Sequence, residues 1–292
     1  MTLQDKLAEA RARLVAAGIA PADASVDVDL YARTILGWDR ARLLTERSRA
    51  TPTALEPTFS EWVARRERRE PTAYIVGVKE FRGLDFLVTP AVLIPRPETE
   101  FIVEEAVRIV SSGDLKVSGY QASEHVRIAD IGTGSGCVAV ALATECPGCL
   151  IVASDVSSVA LDVARANATR HGVEHRIEFV VTSYLDGVAG AFDLMTANPP
   201  YVKDRDKPAL SPDVRHEPDI ALFGGTEGLR DIGGVLDAAT AKLTTGGWLL
   251  MEFGFGQEED VTTMVSAHPQ LRLRGVRSDL QGIPRTAIIQ RE

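Results

Sequence analysis

Val126-Arg127-Ile128-Ala129-Asp130-Ile131-Gly132-Thr133-Gly134-Ser135-Gly136-Cys137-Val138-Ala139-Val140-Ala141-Leu142-Ala143 is the stretch whose reading decides the fold. Its first six residues form a short, largely apolar run and predict a buried strand. Glycines at 132, 134 and 136 let the backbone turn sharply and approach a ligand closely. From Cys137 to Ala143 the chain is apolar on every side, which predicts a helix buried all round. A dinucleotide fingerprint requires Gly or Ala at position 137. With Cys137 there, the spacing is that of a compact nucleoside turn rather than a pyrophosphate cradle.

The alternation continues outward. Leu150-Ile151-Val152-Ala153-Ser154 predicts a second strand ending at Asp155. A carboxylate at that tip can accept hydrogen bonds from both hydroxyls of a ribose, or it can cap the next helix, for which Ser157 is a second candidate. That helix carries Leu161, Ala164 and Ala168 on one face and ends at Gly172. The strand Ile177-Glu178-Phe179-Val180-Val181 follows, with Ser183 and Tyr184 beyond its tip. Tyr184 can stack on a purine or be an ordinary amphipathic edge residue. A helix over Leu229 to Leu243, a strand at Trp248–Glu252, and two closing strands at 271–276 and 286–289 complete an α/β pattern.

Between these elements, Ala191 to Ala197 reads as a buried strand that delivers Asn198-Pro199-Pro200-Tyr201 to its carboxyl end. In open α/β sheets that edge binds ligands. The Asn198 side-chain oxygen and the Pro199 carbonyl are acceptors, and the two prolines restrict the backbone that aims them. Two acceptors can grip both hydrogens of one NH2 group, and Tyr201 offers a flat wall for stacking. The alternative is a plain turn, since Asn-Pro and Pro-Pro are common punctuation. The long polar segment from Val202 to Gly225 is expected to be a lid or a substrate wall.

The amino-terminal part differs. Residues 1–72 read as a small helical domain: Leu3, Leu7, Ala10 and Leu14 make one stripe, a second helix opens at Pro21 and closes near Gly37, and Phe59, Trp62 and Val63 mark another. It contains no catalytic constellation, so its expected role is substrate recognition or covering the site. Residues 73–95 are expected to form a β-hairpin linker, with short strands at Tyr74–Gly77, Glu80–Val88 and Val92–Ile94. Pro97 can open a helix whose dipole favours Glu98 and Glu100. Residues 111–125, with Gly113 and Gly119, read as a loop.

The 292-residue chain is 45% hydrophobic and 25% charged, as in a soluble globular protein. Its apolar runs fall short of the ~18–20 residues of a spanning helix, and its polar start resembles no secretory signal. A cytoplasmic protein is expected. The net charge of −9 lies wholly in residues 101–292, because residues 1–100 hold 15 basic and 15 acidic side chains. An acidic carboxyl-terminal half argues against stable nucleic-acid binding. Arg65-Arg66-Glu67-Arg68-Arg69 is read as the solvated face of a helix, with a basic patch as the alternative. Cys146-Pro147-Gly148-Cys149 has redox or half-zinc spacing but is read as a connecting turn, so no metal site is expected.

The glycine turn, the acid after the second strand and Asn-Pro-Pro-Tyr after the fourth together resemble the class I S-adenosylmethionine-dependent methyltransferases acting on NH2 groups. With Gly77, Phe81, Ile94-Pro95-Arg96-Pro97-Glu98-Thr99-Glu100, Glu217-Pro218 and the helical amino-terminal region, nearly the whole chain resembles the protein-glutamine N5-methyltransferases of peptide chain release factors. The resemblance implies a Rossmann-like seven-stranded sheet with one antiparallel strand over residues 96–292. It implies S-adenosyl-L-methionine at Gly132, Thr133, Gly134, Ser135, Gly136 and Asp155, with the adenine beside Ser183 and Tyr184. It further implies a release-factor glutamine amide at Asn198, Pro199, Pro200 and Tyr201, of which Asn198, Pro199 and Tyr201 serve the chemistry and Asn198 also borders the cofactor. The family usually has an acid at the position of Ser183, so weaker adenine binding is implied. The chain is expected to act as a monomer away from membranes. Adenine N6-methyltransferases share the tetrad, and a scaffold without cofactor binding remains the third reading.

Overall fold

The computed structural model describes residues 1–112, 115 and 125–292. Two compact units divide the chain: residues 1–78 with 211–216, and residues 79–210 with 217–292.

The first unit is helical, with α1 (Leu3–Ala16), α2 (Pro21–Leu36), α3 (Arg40–Glu46), α4 (Thr58–Glu67) and α5 (Thr72–Val76). The caps explain where these helices begin and end. Thr2 accepts from the Asp5 backbone N–H while the Asp5 carboxylate accepts from the Thr2 N–H, a reciprocal capping box. Gly37, left-handed at φ 63°, closes α2. Leu3, Leu7, Leu14, Val28, Tyr31, Leu43, Leu55, Phe59 and Val63 form its core.

Two expectations fail here. Residues 72–76 are helical rather than a strand, because Pro71 leads directly into the turn and Gly77 at φ 80° ends it. The arginine run is not a solvated face. Arg66 is 6% exposed and pairs with Asp27 and Asp213, Arg65 pairs with Glu70, and Arg69 pairs with Asp213.

A hairpin of β1 (Val78–Phe81) and β2 (Leu84–Leu87), which turns at Arg82-Gly83, carries the chain from Val78, the last residue before the second unit, into that unit. No strand forms at Val92–Ile94. A short 3-10 turn at Pro97–Thr99, with Pro97 at its first position, leads into α6 (Glu100–Ser112). Of the loop expected at 111–125, residues 111 and 112 close α6, while 113–114 and 116–124, with Gly113 and Gly119, lie outside the described residues.

The sheet elements follow as β3 (Val126–Ile131), α7 (Cys137–Glu145), β4 (Cys149–Asp155), α8 (Ser158–Arg170), β5 (Ile177–Val181) and β6 (Phe192–Ala197). After them come α9 (Asp219–Leu222), α10 (Arg230–Lys242), β7 (Leu243–Glu252), α11 (Glu258–Ser266), β8 (Leu271–Ser278) and β9 (Pro284–Arg291). The strand order is β5-β4-β3-β6-β7-β9-β8, and β9 runs antiparallel to the other strands of this sheet.

Alternate strand residues face opposite layers. Ile128, Ile151, Leu194 and Leu250 pack with α6 and α7, whereas Ala129, Val152, Met195, Leu249 and Met251 pack with α10 and α11. Cys137 to Ala143 are all buried, as a helix without a polar face must be. Cys146 and Cys149 are buried free thiols at the α7–β4 turn. The order matters for function: the chain steps outward from β3 through β4 to β5, then returns to place β6 on the other side of β3. The crevice at that reversal is where such sheets bind ligands.

Candidate active site

A cavity of about 290 Å3 opens at this reversal. Its wall includes Gly132 to Ser135 after β3, Asp155 after β4, Ser183 and Tyr184 after β5, and Asn198 to Pro200 after β6. Arg96, Thr99, Pro218 and Ile220 complete the portion that bears on the chemistry.

The glycine loop is held from beneath. The buried Asp130 carboxylate accepts from the hydroxyls of Thr133 at 2.6 Å and Thr196 at 2.7 Å, so it joins the loop to β6. Burial pushes its carboxyl up to about 6 despite these bonds. Above the loop, Asp155 Oδ2 accepts from the Gly134 N–H and Oδ1 from the Ser157 N–H, each at 2.9 Å. Ser157, not Asp155, caps α8 through the Ala160 N–H. Each Asp155 oxygen keeps a further lone pair at the cavity wall.

Gly136 is not in that wall. A Cβ on it would lie 3.0 Å from the Ala164 Cβ, so the position is small because α7 packs there on α8. Tyr184 has φ 51°, uncommon for an aromatic residue. Its hydroxyl donates to Asp231 at 3.1 Å, and burial beside that carboxylate pushes the phenol up to about 12.

The tetrad backbone is clamped. The Val202 N–H donates to the Leu222 carbonyl at 2.9 Å, and the Gln257 amide donates to the Tyr201 and Gly228 carbonyls, each at 3.2 Å. Asn198 Nδ2 donates to the Thr99 hydroxyl at 3.0 Å, and that hydroxyl donates to Glu252 Oε2 at 2.7 Å. Neither Asn198 Oδ1 nor the Pro199 carbonyl accepts from any described residue, so two acceptors are left beside the cavity. Tyr201 departs from its expected place. Its ring packs away from the cavity with the β7–α10 core, and its hydroxyl donates to Glu252 Oε1 at 3.2 Å. It supports the wall rather than forming it.

Nearby, the buried Glu217 accepts from Arg96 Nη2 at 2.5 Å and from the Ile94 N–H at 3.1 Å, fixing the Ile94-to-Thr99 segment at the cavity rim. A polar layer thus lies under an apolar, nucleoside-sized crevice with two spare acceptors at one end. The methyltransferase small domain family model matches residues 112–215, and the PrmC N-terminal domain model matches residues 5–77. A release factor glutamine methyltransferase of Nitratidesulfovibrio vulgaris is 39% identical over 294 residues, 99% of this chain and 95% of the relative. One from Moorella thermoacetica is 36% identical over 296 residues, covering 100% and 99%.

The chain belongs to the release factor glutamine methyltransferase family.

Among solved structures, the catalytic domain of hMettl16 in complex with a MAT2A 3'UTR hairpin aligns with a TM-score of 0.57 at 14% identity. The alignment covers 77% of this chain and 81% of that one, a likeness of fold. In this member of the glutamine methyltransferases, several residues that shape the site escaped sequence reasoning: Thr99 as a hydroxyl bridge, Asp130, Asp231, Glu252 and Gln257. Asp130 and Glu252 did carry a signal, since each is a lone carboxylate close to the carboxyl end of a largely apolar run. Thr99 lies in the Ile94-to-Glu100 segment that carries the family resemblance, but its bridging role is not readable there because Asn198 and Glu252 are distant in sequence. Asp231 and Gln257 carried no signal, since the site residues they hold, Tyr184 and Tyr201, are also distant. Among the described residues no helix is long and apolar enough to cross a membrane.

Proposed function

We propose that the protein methylates the side-chain amide nitrogen of a glutamine in peptide chain release factors, with S-adenosyl-L-methionine as methyl donor. The observation that carries this is the pair of acceptors at the cavity, Asn198 Oδ1 and the Pro199 carbonyl, which no described residue occupies. An amide NH2 has two hydrogens to give and matches them.

The residues present suit the cofactor. Asp155 retains lone pairs for ribose hydroxyls, the Gly132-to-Ser135 loop brings backbone close to the cavity, and the Tyr184 ring is held in place by Asp231. Bound there, S-adenosylmethionine supplies a methyl group activated by a sulfonium. The chain's own task is to prepare the acceptor. An amide nitrogen is a weak nucleophile because its lone pair is delocalised into the carbonyl. Hydrogen bonds from its NH2 to Asn198 and Pro199 stabilise positive charge developing on nitrogen and fix the direction of attack. The nitrogen becomes strongly acidic once methylated, so its proton can pass to water without a dedicated base.

The helical unit is proposed to grip the release factor outside its glutamine loop. A release factor substrate would confine the reaction to the cytoplasm. The test is transfer of methyl label from S-adenosylmethionine to a release factor, to the same factor with its loop glutamine changed to alanine, and to adenine-containing DNA and RNA. Label in the unaltered factor alone is the expected result; label in nucleic acid alone would overturn the reading. Asn198→Ala should lower kcat by about 10²-fold or more while cofactor affinity holds. Equal loss in both would remove Asn198 from the acceptor role.

A further inference from the structure

Asn198 is useful to an incoming NH2 only if its oxygen, and not its own NH2, faces the cavity. The two orientations have nearly the same shape, so packing alone discriminates between them poorly. The choice is made by hydrogen counting. Thr99 is buried and its hydroxyl carries a single hydrogen, which goes to Glu252 Oε2 at 2.7 Å. With that hydrogen committed, the hydroxyl can only accept, and the donor it accepts is Asn198 Nδ2 at 3.0 Å. A carboxylate cannot donate, so as long as Glu252 is ionised the direction of the whole chain is set. Its other oxygen accepts from Tyr201, so the same carboxylate also fixes the last residue of the tetrad.

We infer that Thr99 and Glu252 are positioning residues that hold the Asn198 amide with its oxygen toward the substrate, making the protonation state of Glu252 a control on turnover. The inference rests on the glutamine reading of the site and deepens it. Glu252 is 1% exposed, and its carboxyl is pushed up to about 7 by burial, an effect that the hydrogen bonds from Thr99 and Tyr201 only partly offset. The other charged groups bearing on it are Glu98, which raises it further, and Arg285, which lowers it; the Cys137 thiol in turn feels the carboxylate. A protonated Glu252 can donate to Thr99. The Thr99 hydrogen is then free to turn to Asn198 Oδ1, and the amide can present its NH2 to the substrate's NH2. Two donors then face each other, and the grip on the substrate is lost.

The experiment compares wild type, Thr99→Val, Thr99→Ser and Glu252→Gln for release-factor methylation. It also measures cofactor affinity by titration and kcat as a function of pH. Thr99→Val keeps the side-chain volume and removes the hydroxyl, so kcat should fall roughly 10- to 100-fold with cofactor affinity unchanged, as expected when an aimed group loses its aim. Thr99→Ser should restore kcat. Wild-type kcat should rise with pH through about 7, and Glu252→Gln, which cannot titrate, should lose that acidic limb. A wild-type rate in Thr99→Val, a matching loss of cofactor affinity, no rescue by serine, or an unaltered acidic limb in Glu252→Gln would each overturn the assignment. Should Thr99→Val not fold, the Glu252→Gln pH profile still decides it. A wild-type enzyme that leaves every release factor unlabelled sinks the substrate reading and this inference with it, whereas equal labelling by wild type and Thr99→Val sinks the inference alone.

Discussion

Replacing Glu252 with glutamine should remove a loss of stability that wild type suffers as pH rises. The carboxyl is buried at the end of β7, and burial raises it from the ordinary 4.5 to about 7 in the folded state. Below about pH 4.5 it is protonated in both folded and unfolded chains, so its contribution to stability is fully present. As pH rises toward 7 the unfolded chain gives up this proton before the folded one does, and stability is lost. The displacement corresponds to about 3 kcal/mol at roughly 1.4 kcal/mol per pKa unit, reached above about pH 7. Glutamine at 252 does not titrate and escapes this loss.

Urea unfolding of wild type and Glu252→Gln at several pH values between about 4.5 and 8 reads the difference directly. Any fixed cost of exchanging a carboxylate for an amide against Thr99 and Tyr201 shifts the whole curve. Asp130, also raised, is common to both proteins and cancels. Only the slope is at issue, and it should favour the variant by about 3 kcal/mol more at the alkaline end than at the acid end. A difference that stays flat with pH would show that Glu252 ionises as freely when folded as when unfolded, and would remove the physical basis for its control of Asn198.

Ser183→Asp, which puts a charged acceptor at the cavity wall, should tighten cofactor binding about 10-fold, measured by titration calorimetry; weaker binding would place the adenine elsewhere. Gly234→Ala would bring a Cβ to 2.0 Å from the Tyr184 Cζ, so the ring must move. Cofactor affinity should fall although the helix itself gains up to about 1 kcal/mol in propensity, and unchanged affinity would remove Tyr184 from the site. Leu194→Ala, at a side chain fully buried in β6, should cost about 2–5 kcal/mol of unfolding free energy, and a cost under about 1 kcal/mol would mean that the layer beneath the tetrad is loosely packed.

The chain's local pattern was enough for the catalytic sheet. The strand from Ile177 to Val181 is the strand observed, and the glycine turn and the tetrad lie at strand ends as their neighbours require. These features depend on periodicity and on backbone freedom within a few residues, both of which are written in consecutive letters. Where local signals conflicted, the reading failed. The β-prone run Tyr74-Ile75-Val76 suggested a strand, but these residues lie in α5 because Pro71 and Gly77 bracket a single short helix. The stretch Glu258–Ser266 has too few apolar positions to mark a helix in the sequence, and is α11.

Contacts between distant residues decided the rest. That Arg66 is buried follows from Asp27, 39 residues earlier, and from Asp213, and no charge pattern within α4 reveals it. That Gly136 serves helix packing follows from Ala164, and that Tyr201 turns from the cavity follows from Glu252. The sequence by itself determined which residues reach the carboxyl edge of the sheet, because strand, turn and helix are short-range consequences of side-chain size, polarity and backbone freedom. Only the tertiary structure decided which way their polar atoms face: Asn198 lies 99 residues from Thr99, and Thr99 lies 153 from Glu252, so the hydrogen bonds that aim the amide exist only after the chain has folded.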